Sequence, residues 1–473
     1  MILQNHRFLA DCQSMFSHSI FDKSSLLQRD TFLVLGGGLS GESAGRLLSK
    51  NGKTVYLADK NAVQKTDSVF VATFSDTTEW KELPKFQMII KSPGISPEHP
   101  LLTQARQKDI PILSEIYLGR LFFNGTLIGI TGTDGKSTTT ALTHHIIKAK
   151  FPNSEVGGNL GLPFTSFCDE NLDLIVLELS SYQLEDSPNL KLTASAIITL
   201  APDHLERHKT MERYAKAKWN IVSHNDIHHT LVTQKKVMEL IPKERTEFMG
   251  RMLFFGISES IDIRDKEKLI KTPNGVYHTN DFNLSGFHNL QNLSVAIALA
   301  ETVGLTQEEI QGRISTFQGL PHRFQSIPKE EYDESTFGKI RFINDSKSTN
   351  LHSMLSGIAG YAKEDPIFLI LGGEPKNENL SPLIQRVREL DANILIYGKA
   401  SVVWRKDFEN SGIQNINYVN NLEEAIQLIK LMIDREKQTT VILSPAAASF
   451  DQYQNFSERG DHFVSLVKQY FGR

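Results

Sequence analysis

Cysteine is almost missing from this chain: Cys12 and Cys168 are the only two among 473 residues. They lie far apart and without metal-ligand spacing, which excludes a disulfide framework and a thiolate metal centre and points to a reducing compartment. Strong charge of either sign is missing too. A formal net charge of −4, with 22% charged residues, offers no basic face for nucleic acid or for an anionic membrane. No apolar run approaches the ~20 residues needed to cross a bilayer. The polar lead from Met1 to Asp30, with Gln4, Asn5, His6 and Arg7, does not read as a signal peptide. There is no internal repeat, low-complexity tract or coiled-coil pattern. What these absences leave is a soluble cytoplasmic enzyme, with room for two to four domains of ~100–200 residues each.

What is present centres on Gly129-Ile130-Thr131-Gly132-Thr133-Asp134-Gly135-Lys136-Ser137-Thr138. An apolar run (Leu127, Ile128, Ile130) precedes it, and Ala141, Leu142 and Ile146 follow at the spacing of one helix face. Strand, glycine-rich turn and helix together make a phosphate cradle, because converging backbone N–H groups and the helix N-terminus favour an anion. The strict P-loop pattern fails at one place, since Ile130 stands where its first glycine belongs. Gly132, Thr133, Asp134, Gly135, Lys136, Ser137 and Thr138 are therefore expected to bind ATP, with Lys136 on the terminal phosphates and the Ser137 hydroxyl on Mg²⁺.

Upstream, Thr31–Leu35 reads as a buried strand, Gly36-Gly37-Gly38-Leu39-Ser40-Gly41 as a turn, and the chain to Lys50 as a helix. A second strand, 54–58, ends at Asp59. That is the dinucleotide fingerprint, with an acidic residue about 20 positions on. It would suit either a nicotinamide cofactor or the diphosphate of a nucleotide-linked substrate. Further strands are expected at 69–72 and 88–90. Downstream, the apolar strand 173–177 ends in Glu178, where a second Mg²⁺ ligand is wanted. Strand 194–199 delivers Asp203 and His204, a ligand or substrate contact. Lys216 and Lys218, in a helical run 214–222, read as a solvated face. Between 224 and 281 only short strands and loops are expected, with no chemistry. Asn289 and Asn292, at the opening of an apolar helix (295–303), would either read a purine edge or cap the helix. A third block has strands at 340–343, 367–371, 393–397 and 441–443. The fold class is thus α/β with three domains. They are an N-terminal Rossmann-like domain (1–120), a central P-loop ATPase-like parallel sheet (121–320) and a C-terminal Rossmann-like domain (321–473).

The segments 129–138, Leu177-Glu-Leu-Ser-Ser181, Gly319-Leu-Pro-His-Arg-Phe324, Asn344-Asp-Ser-Lys347 and Ser444-Pro-Ala-Ala-Ala-Ser-Phe-Asp451 together resemble the Mur ligase family, from about residue 30 to 470. Its members are ATP-dependent amide-bond-forming enzymes of peptidoglycan precursor synthesis. Asp134 departs from the Asn usual in the family loop, and Ala447 from a common Cys. The resemblance implies UDP-N-acetylmuramoyl-L-alanine, D-glutamate and ATP as substrates, and no obligate protein partner. It implies two Mg²⁺ ions, with Ser137, Glu178, His204 and a carbamylated Lys218 as ligands, which reverses the reading of Lys218 as a solvated lysine. Lys136, His204 and Lys218 would be catalytic. Gly38, Leu39, Ser40 and Asn159, with His204, would meet the UDP-linked substrate. Thr349 and Lys376 would hold one carboxylate of the amino acid, and Ser449 with the backbone at Phe456 the other. Arg323 and Asp345 would touch ATP phosphate and ribose, and Asn289 and Asn292 adenine. Rival readings are another ligase of this type, such as a folylpolyglutamate synthetase, a non-catalytic nucleotide-binding regulator, and an NAD-linked enzyme.

Overall fold

In a computed structural model of the chain, which describes residues 22–61, 68–222, 226–242, 248–284, 286–364, 366–375 and 379–472, the central parallel strands of each sheet are mostly apolar and buried on both sides. That composition obliges helices to cover both faces of each sheet. The first sheet has β1 (Thr31–Leu35), β2 (Thr54–Asp59), β3 (Ala72–Ser75), β4 (Met88–Lys91) and β5 (Ile112–Ser114). Its order is β3-β2-β1-β4-β5, all parallel. Phe32 and Val34 enter one core and Leu33 and Leu35 the other. The order reverses between β1 and β4, and ligands bind at such a switch point, outside the carboxyl ends of the strands.

The second sheet contains β6 (Thr126–Thr131), β7 (Ser154–Gly158), β8 (Leu174–Glu178) and β9 (Ala194–Ile197). It continues with β10 (Thr230–Thr233), β11 (Arg251–Gly256), β12 (Ile261–Arg264), β13 (Leu269–Lys271) and β14 (Val276–His278). The order is β14-β13-β12-β11-β10-β9-β6-β8-β7, with β6 between β8 and β9 in parallel register. The P-loop therefore emerges between the strand ends that carry Glu178 and the approach to His204. The third sheet holds β15 (Gln325–Ser326), β16 (Ile340–Asn344), β17 (Ile367–Gly372), β18 (Asn393–Tyr397), β19 (Ile416–Tyr418) and β20 (Thr439–Ala446), in the order β15-β16-β20-β17-β18-β19. Leu369, Leu371, Ile394 and Ile396 face one core, and Phe368, Ile370, Leu395 and Tyr397 the other.

By compactness the chain divides in two. One unit runs to Phe282 and takes in Phe287–Thr316, holding the first two sheets; the other comprises Asn283–Gly286 and Phe317–Arg473. Several elements differ from expectation. The strand expected at 69–72 forms at Ala72–Ser75, because Val69 lies in a turn. The apolar helix opens at Phe287 and ends at Thr302, its polar first turn being buried at Asn289 and Asn292. Strands β5 and β19 are three residues each, too short for periodicity to reveal. No described helix is long and apolar enough to cross a membrane.

Candidate active site

Strand β6 ends at Thr131, and the chain turns through Gly132–Gly135 into the helix Lys136–Ile147. Gly135 caps that helix at φ 80°, a left-handed conformation that costs glycine nothing, and a Cβ there would lie 2.5 Å from Asn292 Oδ1. The end of β9 holds the loop open. The Thr133 amide donates to the Thr199 carbonyl at 2.9 Å, the Asp134 amide to Thr199 Oγ1 at 2.9 Å, and the Ala201 amide to Thr133 Oγ1 at 3.0 Å. Lys136 folds back over the cradle, its Nζ donating to the carbonyls of Gly132 (3.0 Å) and Thr133 (2.7 Å). Ser137 and Thr138 are buried in the first turn.

Glu178, on the neighbouring strand, is buried. Its Oε1 accepts from Asn159 Nδ2 at 2.6 Å, while its Oε2, also buried, has no hydrogen-bond partner among the described residues. An orphaned carboxylate oxygen next to a phosphate cradle is what a cation would satisfy. Among the described residues no three His, Cys, Asp or Glu side chains form a metal cage. That suits Mg²⁺, which takes one or two carboxylates and completes its shell with phosphate oxygens and water. Ser137 and Glu178 fit such an ion.

Lys218 corrects the reading of a solvated lysine face. On the helix Met211–Trp219, Lys216 is exposed but Lys218 is fully buried, because Tyr214 and Lys218 share the stripe that packs on the P-loop. Its Nζ donates to the Gly132 carbonyl at 2.7 Å and to Thr131 Oγ1 at 3.3 Å, and lies 4.7 Å from the centre of the Tyr214 ring. Burial first, and the Lys136 charge second, push its pKa well below the ordinary lysine value. Both effects favour the neutral amine over the ammonium in the phosphate cradle.

His204 adopts a left-handed backbone at φ 54° just past β9. Its Nδ1 lies 3.2 Å from the Tyr182 hydroxyl and 3.5 Å from Glu206, and its Nε2 lies 3.4 Å from Asp203. The Tyr182 ring lies tilted against the imidazole at 5.0 Å between ring centres, and the Arg207 guanidinium sits over the Tyr182 ring at 4.3 Å from its centre. These groups border a cleft of about 390 Å³ lined by Leu39, Ser40, Pro93, Lys136, Asn159, His204 and Lys218, among others. Gly38 caps the helix Leu39–Lys50 beside it. Asn292 accepts from Thr139 Oγ1 at 3.1 Å and donates to Asn289 at 3.3 Å. Both asparagines lie inside the helix, so the capping alternative fails.

The dinucleotide pattern is a lock on the glycine turn. Asp59 Oδ2 accepts the Gly37 amide at 2.7 Å and Oδ1 that of Asn61 at 2.8 Å. The carboxylate that would grip a ribose is thus already engaged.

The second unit has its own polar cluster at the ends of β16, β17 and β20. Asp345 is buried, accepting from the Phe324 amide (3.0 Å), Ser348 Oγ (2.5 Å) and Ser444 Oγ (2.7 Å). Burial pushes its pKa up to about 6 against those hydrogen bonds and the nearby Arg323 charge. Ser449 is buried, and its hydroxyl has no partner among the described residues. Thr349 is half-buried on the loop after β16, and the Phe456 carbonyl accepts from Ser346 Oγ at 2.8 Å. Lys376 lies outside the described residues. Sequence reading missed Arg459. Fully buried, it donates to Ser346 Oγ (2.9 Å), Ser346 O (2.8 Å), Ala447 O (3.1 Å) and Ala448 O (3.3 Å). It ties together two of the loops that bear this cluster. Its only signal was an arginine at i+3 from Phe456 in a helix whose other buried positions are apolar or glycine.

Comparison with known proteins gives the same picture. Residues 30–114 match the description "Mur ligase MurD-like, N-terminal domain" and residues 130–300 "Mur ligase middle domain". The UDP-N-acetylmuramoylalanine–D-glutamate ligase of Leptospira interrogans is 45% identical over 456 residues, covering 93% of this chain and 96% of the relative. That of Aquifex aeolicus is 32% identical, covering 93% and 99%. In fold, the chain resembles the MurF ligase of Thermotoga maritima, solved with ADP (TM-score 0.58, 15% identity, 94% and 98% covered). It also resembles the UDP-N-acetylmuramate–alanine ligase of the same organism (TM-score 0.53, 18% identity, 93% and 99% covered). With a switch-point glycine turn, a P-loop flanked by an orphaned carboxylate, and relatives this similar along nearly its whole length, the chain belongs to the Mur ligase family.

Proposed function

We infer that this protein is an ATP-dependent carbon–nitrogen ligase that joins D-glutamate to UDP-N-acetylmuramoyl-L-alanine, in cytoplasmic synthesis of peptidoglycan precursors. The observation that carries this reading is the 45% identity to a ligase of that name over 93% of the chain, a span that takes in both compact units. In this reading residues 1–120 bind the UDP-linked substrate, 121–320 ATP, and 321–473 the amino acid.

The reaction joins two anions and then exchanges a leaving group. An oxygen of the alanine carboxylate attacks the γ-phosphorus of ATP, the bond to ADP breaks, and an acyl phosphate forms. The amine of D-glutamate then attacks the acyl carbon, inorganic phosphate leaves, and the nitrogen loses a proton. In phosphoryl transfer the protein mainly positions groups and neutralises charge. Lys136, whose Nζ donates to two loop carbonyls, would exchange them for the terminal phosphates. Mg²⁺ held by Ser137 and Glu178 would supply Lewis-acid charge neutralisation. Asn289 and Asn292, behind the loop, would serve adenine, and Arg323 and Asp345 phosphate and ribose. Gly38, Leu39, Ser40 and Asn159 receive the UDP-linked substrate. Thr349, Lys376, Ser449 and Phe456 receive the two carboxylates of D-glutamate.

Lys218 has a further role. Its amine, shifted toward the neutral form by burial and by Lys136, would add CO₂ and release a proton to give a carbamate. The lysine then becomes an anionic oxygen donor that, with Glu178 and His204, suits a second Mg²⁺. The test of the function is phosphate release from ATP with UDP-N-acetylmuramoyl-L-alanine, comparing D-glutamate, L-glutamate, L-lysine and no amino acid. Turnover is expected with D-glutamate alone. Turnover with L-lysine, or none with any of the four, would overturn the assignment.

A further inference from the structure

Lys91 and Ser114 are register partners on the adjacent strands β4 and β5, so their side chains leave the first sheet on the same face. Both reach the same two consecutive residues beside the second sheet. Lys91 Nζ pairs with Asp186, and Ser114 Oγ lies 2.6 Å from Ser187 Oγ. Lys91 is almost wholly buried, and the Asp186 side chain is only 16% exposed. Asp186 is the C-cap of the short helix Ser181–Glu185, whose Ser181, Tyr182 and Gln183 line the cleft. The same helix carries Glu185, which binds Arg207 at 2.9 Å, and Tyr182, which meets His204. On the other side, Ser92 follows Lys91 directly, and its Oγ donates to the Gly36 carbonyl at 2.6 Å, bolting the glycine turn in place. Pro93, next in the chain, lines the cleft opposite the helix.

A buried ion pair contributes little stability compared with apolar residues of the same volume, because desolvation offsets the attraction. What it supplies is a defined distance between the two elements that carry the charges. We propose that Lys91, through its ion pair with Asp186, is a positioning residue that sets the spacing between the glycine turn Gly36–Ser40 and the Ser181–Tyr182 wall, and so governs capture of the UDP-linked substrate. The proposal rests on the reading that this turn receives that substrate. In that reading ATP reaches this cleft only with its terminal phosphates at Lys136 and D-glutamate is assigned to the third sheet, so their binding should depend on the pair far less.

The experiment is a set of variants of the full chain, each measured for melting temperature and for the KM of all three substrates. Lys91→Met leaves Asp186 unpaired and lowers the melting temperature, whereas Lys91→Met/Asp186→Leu restores it by removing both charges. In the double variant the KM for UDP-N-acetylmuramoyl-L-alanine is expected to stay about tenfold or more above wild type, with the other two KM values within about twofold. If that KM returns to the wild-type value along with the melting temperature, the pair is merely structural and the proposal falls. Lys91→Arg and Asp186→Glu keep both charges and change only the reach. Each should raise the same KM several-fold at an unchanged melting temperature, and a wild-type KM in both would also overturn the proposal, even if the double variant does not fold. A wild-type protein inactive with this substrate strikes the ligase reading; an active one with an indifferent double variant strikes only the role of Lys91.

Discussion

Two buried ionisable side chains mark what single residues contribute here. Burial and the Lys136 charge disfavour the ammonium form of Lys218, and an unmodified ammonium beside a metal ion would repel it, so carbamylation is the form that suits the proposed site. Lys218→Ala should lose activity, and a short carboxylic acid added in solution should restore part of it. Lys218→Arg should not respond, because it keeps a positive charge and fills the space. A fully active Arg variant would falsify the role. Glu115 is the second case. It is buried, with Oε1 accepting from the Thr165 amide at 2.7 Å and Oγ1 at 2.9 Å, and burial pushes its pKa from 4.5 up to about 7. Between those two values the folded chain holds a proton that the unfolded chain has released. Stability is therefore full below about pH 4.5 and falls as pH rises toward 7, by about 3 kcal/mol in all. Glu115→Gln keeps the acceptor and removes the titration. Its melting temperature should equal wild type near pH 4 and exceed it at pH 8. A difference that stays constant with pH would show that the carboxyl does not titrate in this range.

At the scale of elements, the turn that links β1 to the helix Leu39–Lys50 is built on close backbone approach. A Cβ on Gly41 would stand 1.9 Å from the Gly36 carbonyl oxygen and 3.0 Å from Ser92 Oγ. Backbone cannot yield as a flexible side chain does. Gly41→Ala is expected to cost about 2–4 kcal/mol and to displace the helix N-terminus from the cleft. The KM for the UDP-linked substrate should then rise much more than that for ATP, whose loop lies on another sheet. Equal losses for both substrates would point to general unfolding instead. Here the sequence was informative, since the Gly36–Gly41 pattern and its following helix form as the spacing implies. The partners of Gly41 were not visible, because Ser92 comes from β4 and Gly36 from the end of β1.

For the whole molecule, the proposed function assigns ATP and the UDP-linked substrate to the first compact unit and D-glutamate to the second. Hydrogen exchange on the full protein should show this directly. A non-hydrolysable ATP analogue with Mg²⁺ should slow exchange in peptides covering 131–139. D-glutamate, added with the UDP-linked substrate, should slow it in peptides covering 344–349 and 446–456, where Ser449 and Phe456 lie. Ligands that bind only the folded state stabilise it by mass action, about 2.7 kcal/mol at a hundredfold excess over Kd. Protection by D-glutamate confined to the first unit would remove the amino-acid site from the third sheet.

The sequence by itself determined the local units. Apolar strands flowing into Gly-rich or polar turns and then into amphipathic helices are readable because their periods and turn chemistry act over a few residues. That is why the strand, cradle and helix around Lys136, the glycine turn at Gly36 and the apolar strands 340–344, 367–372 and 393–397 were all legible. Only the tertiary structure decided which distant side chains share a site. Lys218 bonds to Gly132 across 86 positions, Lys91 meets Asp186 across 95, and Arg459 reaches Ser346 across 113. Each was ambiguous in the sequence, where a lysine or arginine on a helix, or at a strand end, looks like solvated surface. Strand order removes the ambiguity. With β6 placed between β8 and β9, Glu178, the approach to His204 and the P-loop reach one edge, and the helix bearing Lys218 must bury that lysine to cover them. Burial then sets its charge, because a low-dielectric site beside Lys136 favours the neutral amine.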